Sequence, residues 1–107
     1  MIHAQIRRQG SQISGFCLSG HAGSGAYGQD IVCAAVSVLA INTVNSLEKL
    51  ALVKPKVEID EVDGGYLSLE LDAQDLADFK AQLLLQSFVL GLNDIERSYQ
   101  EFIQIKD

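Results

Sequence analysis

The chain has 107 residues, of which 48% are hydrophobic and 21% are charged, with a single proline. This length suits one domain with one core, and the composition excludes a disordered or collagen-like chain. Eight Lys and Arg residues against 14 Asp and Glu residues give a net charge of −6. No basic stripe is visible, so we expect no direct contact with nucleic acid. We expect a single domain over residues 1–107.

The first part of the sequence predicts a β-hairpin. Ile2, Ala4 and Ile6 alternate with polar residues, which predicts a half-buried strand. A turn at Gln9-Gly10-Ser11 then leads into a second strand from Ile13 to Ser19. The pattern is typical of an antiparallel pair with one face toward a core.

A loop and a long helix follow. Cys17 lies beside Phe16 in the second strand, and we interpret it as a core residue. Residues 20–29 contain four glycines and are predicted to form a loop. Asp30 is a good N-cap for a helix from Ile31 to about Leu50. The first three turns of this helix are apolar on every side, so we expect neighbours to cover both sides.

The second half predicts another hairpin and another helix. A strand from Val57 to Glu61, a turn at Asp63-Gly64-Gly65 and a strand from Tyr66 to Leu71 form the hairpin. Asp72 is predicted to cap a helix from Ala73 to about Leu90. The inward side chains of this helix are expected to be Leu76, Phe79, Leu83, Leu84, Phe88 and Leu90.

The chain is expected to end with Gly91 as the helix terminator, a short helical turn at Asp94–Ser98 and a last strand at Glu101–Lys106. The order ββαββα indicates an α+β fold: a sheet of two hairpins with a long central helix and a second helix packed on it. The pattern leaves open whether the helices lie on opposite faces of the sheet or on the same face.

The charge is unevenly distributed along the chain. Residues 1–29 carry two arginines and no acid, which gives +2, whereas residues 54–78 carry two lysines and eight carboxylates, which gives −6. Such an acidic segment is typically a solvated face, and it can also attract a basic partner.

The sequence favours a cytoplasmic protein. No basic and apolar leader follows Met1, and polar residues interrupt the apolar stretch Ile31–Ala51. We therefore expect a buried helix and no membrane partner. In the cytosol, Cys17 and Cys33 are expected to be thiols and not a disulfide.

Residues 20–37 carry groups suited to nucleophilic catalysis. With Asp30 as N-cap, Cys33 lies in the first helical turn, where unpaired N–H groups and the positive end of the helix dipole favour a thiolate. His21 lies across the Gly-rich loop and can approach the sulfur if the loop folds back. The two residues can then form a Cys/His dyad, with helix N–H groups polarising a substrate carbonyl.

Two neighbours of this pair can be interpreted in two ways. Asp30 either only caps the helix or also orients His21. Ser37 lies one helical turn beyond Cys33, and its hydroxyl either donates to the thiolate or bonds back to the Cys33 carbonyl.

Each of these residues also has a purely structural interpretation. Cys33 can be a small buried residue of a core helix, His21 a loop residue at a strand end, and the glycines turn formers. No Gly-Lys-Ser/Thr follows, and no Lys or Arg lies between Arg8 and Lys49, so a nucleotide site is not expected. Without a CxxC or HExxH motif, we expect neither a metal nor another cofactor.

The residues Gly20-His21-Ala22, Gly28 and the string from Asp30 to Ser37 resemble the ribosomal-processing cysteine protease family Prp. The likeness continues through residues 43–48 and the order of elements, as far as Gly91-Leu92 in the second helix. It covers nearly the whole chain.

The resemblance implies an α+β cysteine endopeptidase of the bacterial cytoplasm without a cofactor. Cys33 would be the nucleophile and His21 the general base and acid, with Asp30 and Ser37 supporting the site. The implied substrate is a ribosomal protein precursor of the large subunit, whose basic N-terminal extension is removed during ribosome maturation. A homodimer is also implied, as is a Gly-rich loop that moves when substrate enters. The loop residues are Gly20, Ala22, Gly23, Gly25 and Gly28.

Three functions compete at this point. The favoured one is the cysteine endopeptidase. The second is a non-catalytic ribosome-assembly or protein-binding module in which the cysteine and histidine are structural. The third is a redox role for Cys33 together with Cys17, which the lack of a CxxC motif disfavours.

Overall fold

The structure, a computed structural model, describes residues 1–20, 27–60 and 65–107. Within these residues the chain forms five β-strands, two α-helices and one 3₁₀ turn. The elements are β1 (Ile2–Gln9), β2 (Gln12–Ser19), α1 (Tyr27–Lys49), β3 (Lys56–Asp60), β4 (Tyr66–Glu70), the 3₁₀ turn (Ala73–Asp75), α2 (Phe79–Ser98) and β5 (Ile103–Lys106).

The strands form one mixed sheet in the order β3-β4-β2-β1-β5. The pairs β1–β2, β2–β4 and β3–β4 are antiparallel, as expected for two hairpins joined edge to edge. The last strand, β5, pairs with β1 in parallel. The paired strands of both predicted hairpins and the final strand are therefore confirmed, and Gly10 makes the first turn with a φ of 62°. Glu61 and the Asp63-Gly64 part of the second predicted turn lie outside the described residues.

Both helices pack on the same face of the sheet. The inward side chains of the strands and the buried side chains of both helices belong to one hydrophobic cluster. At its centre, the rings of Phe16 on β2 and Phe88 on α2 stack with centroids 4.1 Å apart. The predicted α+β class is confirmed, and one core holds the two helices against the sheet.

Helix α1 differs from the prediction at its start and on its outer side. It begins at Tyr27, so Asp30 lies in its first turn and is not the N-cap. Within the single chain, the described residues leave the outer side of α1 uncovered, since Val38 is 70% exposed. By length and composition, residues 29–49 would also suit a membrane span. Since Val32, Val36 and other residues of α1 are core residues, a core helix explains that hydropathy.

Helix α2 begins later and ends later than predicted. Its N-cap is Asp78, whose carboxylate accepts a hydrogen bond from the Ala81 amide at 2.8 Å, and not Asp72. Gly91 does not end the helix but lies within it, where an added Cβ would come 2.8 Å from a methyl carbon of Leu39 on α1. Its small size therefore permits close packing of the two helices.

The inward face of α2 is rotated from the predicted one. Three of the residues expected to point inward, Phe79, Leu83 and Leu90, are exposed. The buried residues are Ala81, Leu85, Phe88, Val89 and Leu92. These residues recur at intervals of three and four and so share one face of the helix, which is the face that packs against the sheet.

The face of the sheet away from the helices is polar. Cys17 lies on it, because the adjacent Phe16 and Leu18 both point into the core; the interpretation of Cys17 as a core residue is therefore wrong. On the same face, the Arg7 guanidinium donates to the Glu70 carboxylate at 3.0 Å. The two cysteines thus lie on opposite faces, and both are free thiols.

The core packing predicts effects of very different size for two phenylalanines of α2. Phe88→Ala removes a ring that stacks on Phe16 and should lower the free energy of unfolding by about 3–5 kcal/mol. Phe79→Ala removes a ring that is 78% exposed and should change it by less than about 0.5 kcal/mol. Urea denaturation followed by circular dichroism measures both. Equal losses for the two variants would contradict the described orientation of α2.

Candidate active site

Gly20 fixes the end of β2 beside helix α1. Its φ is 78°, a conformation that favours glycine. Its N–H donates to the carbonyl of Gly65, at the start of β4, at 3.0 Å. A Cβ at this position would lie only 2.5 Å from the Met1 carbonyl oxygen. Both the backbone conformation and the close approach therefore require a glycine here.

Cys33 faces the end of this strand. Its sulfur, Sγ, lies 3.8 Å from the carbonyl oxygen of Gly20 and can donate a weak hydrogen bond to it. The residue is 2% exposed and belongs to the core cluster. The structure thus places the sulfur beside the residue that precedes His21 in the sequence.

The local setting of Cys33 in the helix is not the predicted one. Because α1 begins at Tyr27, Cys33 is its seventh residue and lies in the second turn. The unpaired N–H groups of a helix belong to its first four residues, and the dipole effect is confined to the first turn. The prediction that the helix terminus stabilises a thiolate at Cys33 is therefore wrong, because Cys33 does not lie in the first turn.

A side-chain donor lies beside the sulfur instead. The Gln29 amide nitrogen, Nε2, donates to Cys33 Sγ at 3.2 Å. Gln29 is four residues before Cys33, so both side chains share one face of α1. Sequence reasoning missed this residue, although the i, i+4 spacing from Cys33 was the available signal. A neutral amide N–H is thus directed at the sulfur from within the same helix.

Asp30 and Ser37 flank Cys33 along the same helix. Asp30 is exposed in the first turn, where a negative charge interacts favourably with the helix dipole. Ser37 is half-buried and lines a shallow groove with Val38 and Ile41. Within the described residues its hydroxyl makes no hydrogen bond to Cys33, so neither interpretation of Ser37 is supported by a contact.

Part of the predicted site lies outside the described residues. This holds for His21 and for three residues of the Gly-rich loop, Ala22, Gly23 and Gly25. The fourth glycine, Gly28, is in the first turn of α1. The Cys/His pairing therefore stays a prediction. Among residues 1–20, 27–60 and 65–107, no group of three or more His, Cys, Asp or Glu side chains is arranged to hold a metal ion.

The described part of the site can support one chemical role. A thiol is held between a strand end and a helix, with an amide donor on one side and a backbone carbonyl on the other. This is the arrangement of a positioned nucleophile and not of a redox pair, because Cys17 lies on the far face of the sheet.

Comparison with known proteins agrees with this chemistry. A family model described as cysteine protease Prp matches residues 1–104. The ribosomal processing cysteine protease Prp of Bacillus subtilis is 39% identical over 110 aligned positions, which cover 98% of this chain and 96% of that protein.

Solved structures share the whole fold. The crystal structure of SMU.848 from Streptococcus mutans is 44% identical, covers 99% of this chain and 92% of its own, and superposes with a TM-score of 0.95. The ribosomal processing protease Prp of S. aureus, in complex with a substrate peptide, is 30% identical with a TM-score of 0.80. The same enzyme with a covalently linked product peptide is 31% identical with a TM-score of 0.83. Both matches cover 99% of this chain and 98% of the S. aureus chain.

These matches extend over almost every described element, from β1 to β5, and they include the helix that carries Cys33. The resemblance to Prp and the prediction of a cysteine-type peptidase are confirmed, and a non-catalytic module is not supported. The chain belongs to the cysteine protease Prp family.

Proposed function

We propose that this protein is a ribosomal-processing endopeptidase that uses Cys33 as nucleophile and His21 as general base and acid. One observation carries the assignment: Cys33 Sγ lies 3.8 Å from the carbonyl oxygen of Gly20, and His21 is the next residue in the sequence. Because His21 directly follows in sequence the residue that contacts the sulfur, the contact supports a Cys33/His21 dyad.

The reaction proceeds by acyl transfer. The Cys33 thiolate attacks the scissile carbonyl carbon, a C–S bond forms and the carbonyl oxygen becomes an oxyanion. The oxyanion collapses, the C–N bond breaks, and the imidazolium of His21 gives its proton to the leaving amine. Water then attacks the thioester while His21 accepts a proton from it. The C–S bond breaks, the acid product releases its remaining proton to solvent and leaves as a carboxylate, and the Cys33 thiolate and the His21 imidazolium are restored.

Gln29 supports two stages of this reaction. Its amide donor stabilises the thiolate before attack, because hydrogen bonds to the charged form favour that form. The oxyanion forms on a carbon bonded to Sγ, so the same donor, 3.2 Å from the sulfur, is close enough to stabilise it. Asp30 and Ser37, three residues before and four after Cys33, act as supporting residues on the same helix.

Access to the sulfur requires a movement. The exposed fraction of Cys33 is 2%, so a peptide can reach Sγ only after the site opens. We assign this opening to the Gly-rich loop, in which Ala22, Gly23, Gly25 and Gly28 follow the fixed Gly20 and whose composition allows large backbone changes.

The substrate is a ribosomal protein, in line with the relatives named ribosomal processing proteases. Within the proposal, the cleaved segment is a basic N-terminal extension of a large-subunit protein. The net charge of −6 favours encounter with such a basic chain. The enzyme acts in the cytoplasm, where both of its cysteines are free thiols.

Replacing the nucleophile tests the assignment. Cys33→Ala should lower kcat/KM by about 10⁴-fold or more, and His21→Ala by about 10³-fold. Mass spectrometry of N-terminally extended ribosomal proteins after incubation measures the cleavage, and circular dichroism shows whether the fold is kept.

The matched control is the other thiol. Cys17→Ser lies on the polar face of the sheet and should change kcat/KM by no more than about twofold. A folded Cys33→Ala protein that still cleaves would overturn the proposed nucleophile, and loss of activity in Cys17→Ser would revive the redox alternative.

Substitution of Gln29 separates its chemical role from packing. Gln29→Glu keeps the shape but replaces the donor with a negative acceptor, and it should lower kcat by at least about 10-fold. It should also slow alkylation of Cys33 by iodoacetamide, which needs no substrate. A Gln29→Glu enzyme with unchanged kcat and unchanged alkylation would show that Gln29 only fills space.

The implied homodimer is proposed to form through the outer side of α1. This side exposes Ala34, Ala35, Val38 and Ile41, and no charged residue occurs from Ile31 to Leu47. A neutral apolar surface on an acidic protein lets two copies meet without like-charge contacts.

Charge insertion tests this interface. Val38→Glu should convert a species of twice the 11.6 kDa chain mass into a monomer, because two buried carboxylates would face each other. Leu83→Glu, a similar change on the exposed side of α2, should leave the mass unchanged. Sedimentation velocity measures both, and a Val38→Glu dimer would place the interface elsewhere.

A further inference from the structure

The two edges of the sheet are protected differently. At the β5 edge, the Ile105 amide donates to the Glu96 carboxylate of α2 at 3.0 Å, so a helix side chain caps that edge. At the β3 edge, no described segment pairs with the outer side of the strand. An open edge presents unpaired N–H and C=O groups that can bind another extended chain.

The hydrogen bonds of β4 tell which groups of β3 face outward. The Gly65 carbonyl accepts from Gly20, and the Leu71 amide donates to Ser14 on the extension of β2. Backbone groups alternate sides along a strand, so the even-numbered residues of β4 bond to β3. Their partners are Lys56, Glu58 and Asp60. It follows that Val57 and Ile59 direct their N–H and C=O groups outward.

The side chains along this edge differ between the two faces of the sheet. Val57 and Ile59 pair with Leu69 and Leu67, so they lie on the helix side, where Ile59 is 52% exposed. Glu58 is exposed on the opposite, polar face. An extended chain added here would therefore place alternate side chains beside apolar groups on one face and beside Lys56 and Glu58 on the other.

This edge is connected to the nucleophile by backbone contacts. Asp60 pairs with Tyr66, which pairs with Ser19, the residue before Gly20. With neighbouring strands about 4.8 Å apart, an added strand lies roughly 15 Å from β2. About five residues of extended chain span that distance. One peptide can thus lie along β3 and still reach Cys33.

We propose that the outer edge of β3 binds the extended substrate by strand addition, and that it selects a segment of alternating apolar and basic residues about five residues from the scissile bond. The inference rests on the proposed endopeptidase function and adds where the substrate is held. Its charge preference comes from Glu58, and its apolar preference from Ile59.

Amide hydrogen exchange of the Cys33→Ala protein, measured by NMR, tests the docking directly. The probe is a short synthetic peptide of alternating Lys and Leu; the controls are a peptide with the same residues in two blocks and one of alternating Glu and Leu. The alternating Lys and Leu peptide should slow exchange at Val57 and Ile59 by at least about tenfold, as new hydrogen bonds form. The Glu58 amide, already bonded to β4, should change little, and the controls should have no effect.

Substitutions on β3 provide a second test of the docking site. Glu58→Lys should weaken binding of the probe about 2- to 5-fold, whereas Glu48→Lys, the same charge change at the end of α1, should not. Ile59→Pro removes an outward N–H and should raise KM for the extended ribosomal protein with little change in kcat.

The outcomes separate the two proposals. If the wild-type protein cleaves, but Val57 and Ile59 show no protection and Glu58→Lys behaves as wild type, docking at β3 is overturned and the endopeptidase function stands. The charges of that strand would then serve only to prevent aggregation. Protection at β3 without any cleavage supports the docking site and overturns the proposed endopeptidase.

Discussion

The structure depends on one junction, where the end of β2 is fixed between β4 and α1. Gly20 donates to Gly65 and its carbonyl faces Cys33, and its positive φ and the close Met1 carbonyl exclude any side chain. Since β2 is a central strand, its position is set by the pairing on both sides. The sheet thereby determines where the Gly-rich loop leaves the core, and the sulfur of α1 lies at that point. The chemistry proposed for this protein needs a rigid nucleophile, and the junction provides it.

The same junction creates a tension between packing and access. Cys33 is as buried as the leucines around it, and it belongs to the cluster that stabilises the fold. A buried thiol is protected from alkylation and oxidation, but it is also out of reach of a peptide. An enzyme of this design must therefore open locally while the sheet and α2 keep their packing. The stacked Phe16 and Phe88 lie on those elements, which allows the core to persist when the site opens.

The sequence allowed the fold class and the paired strands of both hairpins to be predicted, because these features follow from local periodicity and turn residues. Its failures came where tertiary packing overrides a local signal. Asp30 has the properties of an N-cap, yet α1 begins a turn earlier, which moves Cys33 out of the first turn. Asp72 and Gly91 resemble a helix start and stop. The helix is instead capped by Asp78, and it continues through Gly91, which packs against Leu39 of α1. The parallel pairing of β5 depends on contacts between elements that no periodicity encodes, whereas the i, i+4 spacing of Gln29 and Cys33 was a signal that the interpretation overlooked.

The central claim is that catalysis passes through a thioester on Cys33. Acid quenching of wild-type enzyme during turnover of an extended ribosomal protein, followed by tandem mass spectrometry, locates any covalent adduct. The account predicts the N-terminal fragment of the substrate attached to Cys33 and no adduct on Cys17. Continued cleavage with an adduct on another residue, or with no adduct under conditions in which deacylation is rate-limiting, would contradict it.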